Sequence, residues 1–463
     1  MSILNRAANY RATVKRAGKS LKKQLKNRRL LKAFEISYRK SRPLRRITIV
    51  NTHDLIGGAE RTSYDLHTAL RSLDYESALI VGGKLGSDPD VFPVRFFRFD
   101  GKLGYFLRNL AGITEVVYLS PFANVLRSRH FRYCDVVNLH NLHGRYWNLL
   151  TVPVLAWRKP VVITLHDEFL ITGDCGYSYD CERWRSWCGR CPLAKAELIT
   201  RYPAVGPDTS RLNVLIKRLT FHFPFKYPLH LVSPSKWLAE RAQHSPTLKH
   251  LPITVIPYGI PLETWKPSSQ REMREELGLP LEATIGLFSA ANTGDKRKGL
   301  DVIIEAIRKL DPNKNLYFLV LGQLPEGFQQ TVQPLPVRCL GFVKEKSVIA
   351  KYISASDFTM CLSRADNLPY SALESLACGR PILGARVGGI PEIINHPDLG
   401  WLLPLPLSSE DLAERLDGIS QLPLEEKQRR FIACRQSATE RYDVRQMVQR
   451  YLELMNKMYE DSL

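Results

Sequence analysis

Nowhere in the 463 residues does an apolar run approach the roughly 18 residues that a membrane-crossing helix requires, and the first residues lack the apolar core of a secretory signal. Those absences argue against an integral helical membrane protein and set the expectation of a cytoplasmic chain, lying at most against the inner face of the cytoplasmic membrane. Short internal repeats are missing, as is any low-complexity segment beyond the N-terminus, so a solenoid or fibre is excluded. Acid is nearly absent from residues 1–46, where sixteen Lys and Arg face the single Glu35. That tail carries a net +15, leaving +5 of the total +20 for everything else. The basicity is local.

Within the tail, Leu4, Val14, Leu21, Leu25, Leu31 and Phe34 fall loosely at helical spacing among Lys and Arg. Two readings stand side by side, a helix lying on anionic lipid and a solvated charge run, and a transit peptide shares the composition. Nucleic acid is not the expected partner, because the tail has few aromatics to stack bases and no nucleic-acid module follows it.

A chain of this length is expected to fold as two domains. RRITIVNTH, YESALIVGG, YCDVVNLH and KPVVITLHD read as buried strands separated by helical patterns, followed by LHLVSPS and ITVIPYG. Strands of this kind alternating with helices predict a parallel sheet covered on both faces, with ligands beyond the carboxyl ends of the strands. His53, His140 and His166 stand at such ends. After a charged, proline-containing linker, ATIGLFSA, NLYFLVLG, VRCLGFV, ASDFTMCLS and RPILGAR repeat the design. The fold class is α/β, two doubly wound Rossmann-like domains facing across a cleft. The divisions are a tail at 1–46, a first domain at 47–260 with a Cys-rich insert at 173–192, a second domain at 261–440, and a C-terminal helix at 441–463 packing back on the first.

The stretch DNLPYSALESLACGRPILGARVGGIPEII, residues 366–394, concentrates the chemistry. Pro369 opens a helix that Gly379 stops, and Pro391 opens another after Gly388 and Gly389. Helix N-termini suit a diphosphate, and glycines permit close approach. Glu374 and Asp366 are placed to accept from vicinal hydroxyls of a ribose and a sugar ring. Arg297 and Lys298 in ANTGDKRKGL, just before a helix, fit a clamp for the departing diphosphate.

With GGAER at 57–61, TLHDEF at 164–169, VSPSKWLAE at 232–240, VIPYGI at 255–260 and DKRKGL at 295–300, the chain resembles a GT-B glycosyltransferase of family 4 from near residue 47 almost to its end. It looks most similar to bacterial exopolysaccharide transferases, which carry an HD…C…C…C..CP insert. The resemblance implies a retaining enzyme with a nucleotide-diphosphate sugar as donor, a glycan or lipid-linked acceptor, and no cofactor required for transfer. Carried over by residue, Glu374 holds the ribose, Asp366 the transferred sugar with Asn367 and Leu368 beside it, and Arg297 with Lys298 the diphosphate. His166 contacts the donor sugar, and Gly57 with Gly58 line the floor. Asp366 replaces the family's first glutamate, and Asn292 stands where many members place an arginine. Those departures keep open a scaffold that binds nucleotide-sugar or glycan without turnover.

Cys175, Cys181, Cys188 and Cys191 follow the spacing C-x5-C-x6-C-x2-C, which fits a structural zinc site, buried reduced thiols or a disulfide pair. Tyr177, Tyr179, Trp184 and Trp187 in the same insert suit stacking on sugar or packing around a small loop. Asp88-Pro89-Asp90 reads as a surface turn, and Cys339, Cys361 and Cys378 as packing.

Overall fold

The computed structural model describes residues 43–463 apart from 56, 95–99, 101–103, 105, 107–111, 114, 115, 117, 145, 196–207 and 333. The reading of the tail as a lipid-binding helix falls on residues 1–42 and lies outside the described residues.

Thirteen strands are seen among the described residues, in two all-parallel sheets. The first holds β1 (Arg46–His53), β2 (Glu76–Gly83), β3 (Val91–Pro93), β4 (Val136–His140), β5 (Val161–Thr164), β6 (Leu229–Ser233) and β7 (Ile253–Val255), in the order β3-β2-β1-β4-β5-β6-β7. The second holds β8 (Thr284–Asn292), β9 (Leu316–Gln323), β10 (Val337–Gly341), β11 (Phe358–Cys361), β12 (Ile382–Ala385) and β13 (Gly400–Leu403), in the order β10-β9-β8-β11-β12-β13. In each sheet the strand order reverses beside the first strand of the domain. A crevice at the carboxyl ends follows from that switch.

The central strands carry apolar residues at consecutive positions because both faces are covered. Ile285, Leu287, Leu319 and Leu321 pack into one core, while the alternate residues Phe288, Phe318 and Val320 pack into the core on the opposite face. Two strands escape the sequence pattern, β3 and β13. Each has only three or four residues. Asp88 does form a turn, accepting from the Asp90 backbone N–H at 2.9 Å just before β3.

The last two helices divide between the domains. Cys434 and Ala438 of helix Leu424–Arg441 are buried in the second domain's core with Leu376 and Ala377. The chain then crosses beside the linker, with Ile260 and Asp443 bridged, and helix Val444–Glu460 buries Met447, Tyr451 and Met455 against Ile47, Ile49, Leu66 and Leu70 of the first domain. Gly259 is required at the crossing, since a Cβ there would stand 2.5 Å from the Val444 Cα. Among the described residues no helix is long and apolar enough to cross a membrane.

Candidate active site

The loops at the carboxyl ends of both sheets meet, and the residues on either side are already paired. Helix Gly58–Ser72 follows β1 through Gly57, whose φ of +94° favours glycine. From one face of that helix, Arg61 donates to Glu374 of the second domain, Thr62 shares a 2.8 Å hydrogen bond with the Tyr370 hydroxyl, and Asp65 lies 3.7 Å from Lys346. The Arg61 guanidinium stands 5.0 Å over the Trp265 ring and 5.1 Å over that of Tyr370. Glu374 is 5% exposed, and burial lifts its carboxyl above the ordinary range although Arg61 opposes the rise. No residue-level signal in GGAER marks Arg61 as its partner.

The clamp residues form the second pairing. Lys296–Lys298 is a single 3-10 turn, closed by Gly299 at φ +79° before helix Leu300–Lys309. Lys298 Nζ donates to Asp366 Oδ2 at 2.6 Å, Arg297 reaches the same oxygen at 3.5 Å, and Ser363 Oγ donates to it at 3.1 Å. Burial acts to raise the Asp366 carboxyl, but Lys298 and Arg297 hold it below its usual value. Arg297 also donates to the Ala365 carbonyl at 2.8 Å, and its guanidinium lies 5.0 Å over the ring of Tyr177, which comes from the insert of the other domain. Asn292 does not take part in this group; its side chain accepts from the Gly294 N–H at 3.0 Å in the turn after β8.

The strand-end histidines do not act as one set. His140 Nδ1 and His166 Nε2 are 2.9 Å apart, and His166 Nδ1 is 2.6 Å from the Tyr258 hydroxyl, whereas His53 lies over Gly83. Both ring nitrogens of His166 are engaged in this arrangement, so its expected contact with a donor sugar requires one of them to change partner. Burial drives His140 down to about 3 and His166 well below 6.5, so the pair is neutral. His143, which the sequence reading passed over, meets Asp167 at 2.8 Å.

Asn367 joins the domains, donating to the His166 carbonyl at 3.1 Å and accepting from Ser235 Oγ at 2.5 Å. Leu368 is 4% exposed in the second domain's core, which leaves its backbone as the part able to meet a ligand. Gly388 and Gly389 pack against the carbonyls of Asp366 and Asn367, so the protein's own loop already demands glycine there. The helix opened by Pro391 is one turn long, Ile390–Ile393.

All four insert cysteines line one cavity of about 20 Å³, with Cys188, Gly189 and Arg190 in a left-handed run. Among the described residues, however, no three His, Cys, Asp or Glu side chains are grouped to hold a metal ion. A hydrogen bond to Cys191, then burial, raises the Cys175 thiol, and burial pushes Cys188 up to about 11.

Two doubly wound domains with paired rims define the GT-B architecture, and solved structures share it. Sucrose-phosphate synthase from Thermosynechococcus elongatus superposes with a TM-score of 0.65 at 15% identity, over 90% of this chain and 99% of that one. HepE of Anabaena, solved with UDP-glucose, gives 0.62 at 16% identity, over 89% and 99%. Residues 56–264 match the model for Glycosyltransferase Family 4, and residues 269–436 that for Glycosyl transferases group 1. The chain belongs to this glycosyltransferase family. Among curated relatives, N-acetyl-alpha-D-glucosaminyl L-malate synthase of Bacillus anthracis is 34% identical over 111 residues, 23% of this chain and 29% of that protein. WcaC, assigned to colanic acid biosynthesis in Escherichia coli, is 23% identical over 273 residues, 56% and 62%. The chain thus spans less than two thirds of either relative.

Proposed function

We propose that the protein is a retaining glycosyltransferase that moves a hexose from a nucleoside-diphosphate sugar to a glycan or lipid-linked acceptor in polysaccharide biosynthesis, working in the cytoplasm without a metal for transfer. One observation carries the reading. Where the rims of the two domains meet stand three cations and two carboxylates, and each is matched to a protein group of opposite charge: Lys298 and Arg297 to Asp366, Glu374 to Arg61. A nucleoside-diphosphate sugar supplies the alternative partners, an anion for the cations and diols for the carboxylates. The family membership and the UDP-glucose held by HepE support that choice.

In the proposed reaction the bond from the anomeric carbon to the diphosphate oxygen breaks, and the acceptor oxygen bonds to the same face of that carbon. The acceptor's proton passes to the departing diphosphate. Lys298 and Arg297 stabilise the charge that develops there, a role that grows as the cleft excludes water. Asp366 then turns from the cations to the sugar. Purified protein should transfer or hydrolyse a nucleotide-sugar, and Glu374→Ala should abolish it.

A scaffold that binds without turnover is favoured instead if Asp366 stays on Lys298 when ligand is present; it predicts nucleotide binding lost in Glu374→Ala but no turnover in wild type. Structural zinc in the insert is also proposed; Cys175, Cys181, Cys188 and Cys191 would hold it as thiolates and it would cross-link the insert. Metal analysis finding well under one zinc per chain in reduced protein rejects it.

A further inference from the structure

Helix Ser210–Phe221 presents to solvent a face that a surface helix ordinarily keeps polar. Leu212, Leu215 and Leu219 are 41, 40 and 67% exposed, and Phe223 just beyond the helix is 44% exposed. Trp157 joins them, 55% exposed and edge-on to Phe223 at 6.4 Å between ring centres. Arg218 lies 4.1 Å over the exposed ring of Trp187. Arg211 and Arg218 flank the leucines, exposed Arg158 follows Trp157, exposed Lys226 lies three residues past Phe223, and the helix itself contains no acid. Asp208, just before it, is turned onto the Cys191 backbone N–H and the Ser210 hydroxyl. The helix's third cation, Lys217, points inward to the carbonyls of Thr172 and Gly173 at 2.9 and 2.7 Å. Its inner face therefore anchors the insert, while among the described residues nothing covers its outer face.

Clustered leucines, a tryptophan, a phenylalanine and flanking arginines without acid match the interface of an anionic bilayer, where rings and aliphatics enter the headgroup boundary and cations meet lipid phosphate. Charge argues against the two other occupants. The chain's own tail carries +15 and is repelled by this face, and a second copy docked isologously sets this arginine-bearing face against the same basic face. The geometry points to an anionic-phospholipid docking face formed by helix Ser210–Phe221 with Trp157 and Phe223, separate from the basic tail.

The test uses the full chain and vesicles of phosphatidylcholine with or without phosphatidylglycerol. The double variant Leu215→Glu/Leu219→Glu, at exposed positions, should keep the wild-type melting temperature and oligomeric state yet lose about tenfold or more of the affinity for phosphatidylglycerol vesicles. Trp157→Ser should weaken it as well. Unchanged vesicle affinity in the double variant overturns the proposal and leaves binding to the tail. A wild-type dimer that the substitutions dissociate, with no vesicle binding, overturns it in favour of a second copy.

Discussion

Arg61, four residues into the first helix of the first domain, donates to Glu374, five residues past the Asp366–Pro369 loop of the second. The carboxylate best placed for a ribose is thus held by a cation from across the cleft. Under the proposed function, donor binding and this ion pair would compete for the same oxygens.

Arg61→Ala should therefore open the cleft and release Glu374. Small-angle scattering should show a larger radius of gyration without ligand, and nucleotide affinity should rise several-fold, since the binding-competent state no longer competes with a closed pair. Weakened affinity matching that of Glu374→Ala would show instead that Arg61 touches the ligand.

Asp366 supplies a second contrast. Asp366→Asn removes the charge that occupies Lys298 and Arg297, so nucleoside-diphosphate affinity should hold or rise. Transfer should fall about tenfold or more, equivalent to about 1.4 kcal/mol of lost transition-state stabilisation, because the grip on the sugar weakens. Asp366→Glu should keep transfer measurable. Parallel loss of binding and turnover in Asp366→Asn would assign the residue a purely structural role.

Much of the architecture is legible because parallel strands buried on both faces are continuous apolar runs; VVNLH and VVIT announce themselves. The pairing of side chains is not legible. Arg61 meets a residue 313 positions away, and His166 spends its ring on His140 and Tyr258, 26 and 92 positions distant. Tyr177 belongs to a Cys-rich insert in one domain but stacks on the clamp arginine of the other. No local periodicity encodes such meetings. That Arg297 and Lys298 need an anion was legible for a reason of charge, since basic residues before a helix demand one; in the structure Asp366 provides it.

Acid should destabilise the first domain through its buried histidines. Burial lowers His67 to about 4, with Ser77 Oγ 2.8 Å from its Nδ1. The unfolded residue binds a proton near 6.5, so between 6.5 and 4 the unfolded state holds more protons and stability falls as pH falls. By pH 5 this single group costs about 2 kcal/mol. Urea midpoints at pH 7.5 and pH 5 should show a smaller acid loss in His67→Gln than in wild type. Equal losses would place the acid sensitivity elsewhere.

Gly389→Ala tests the loop contact directly. A methyl there meets the Asn367 carbonyl and, at 3.0 Å, the Ser235 Cβ. A stability loss of about 1–3 kcal/mol in urea denaturation is expected from that overpacking. Unchanged stability would mean that the two loops separate readily.

The central claim is that Glu374 grips a nucleotide across this cleft, and thermal shifts with UDP-, GDP-, ADP- and dTDP-sugars test it most directly. One nucleotide class should raise the melting temperature of wild type and of Arg61→Ala and leave Glu374→Ala unmoved. A shift that survives in Glu374→Ala, or no shift with any donor, contradicts the account.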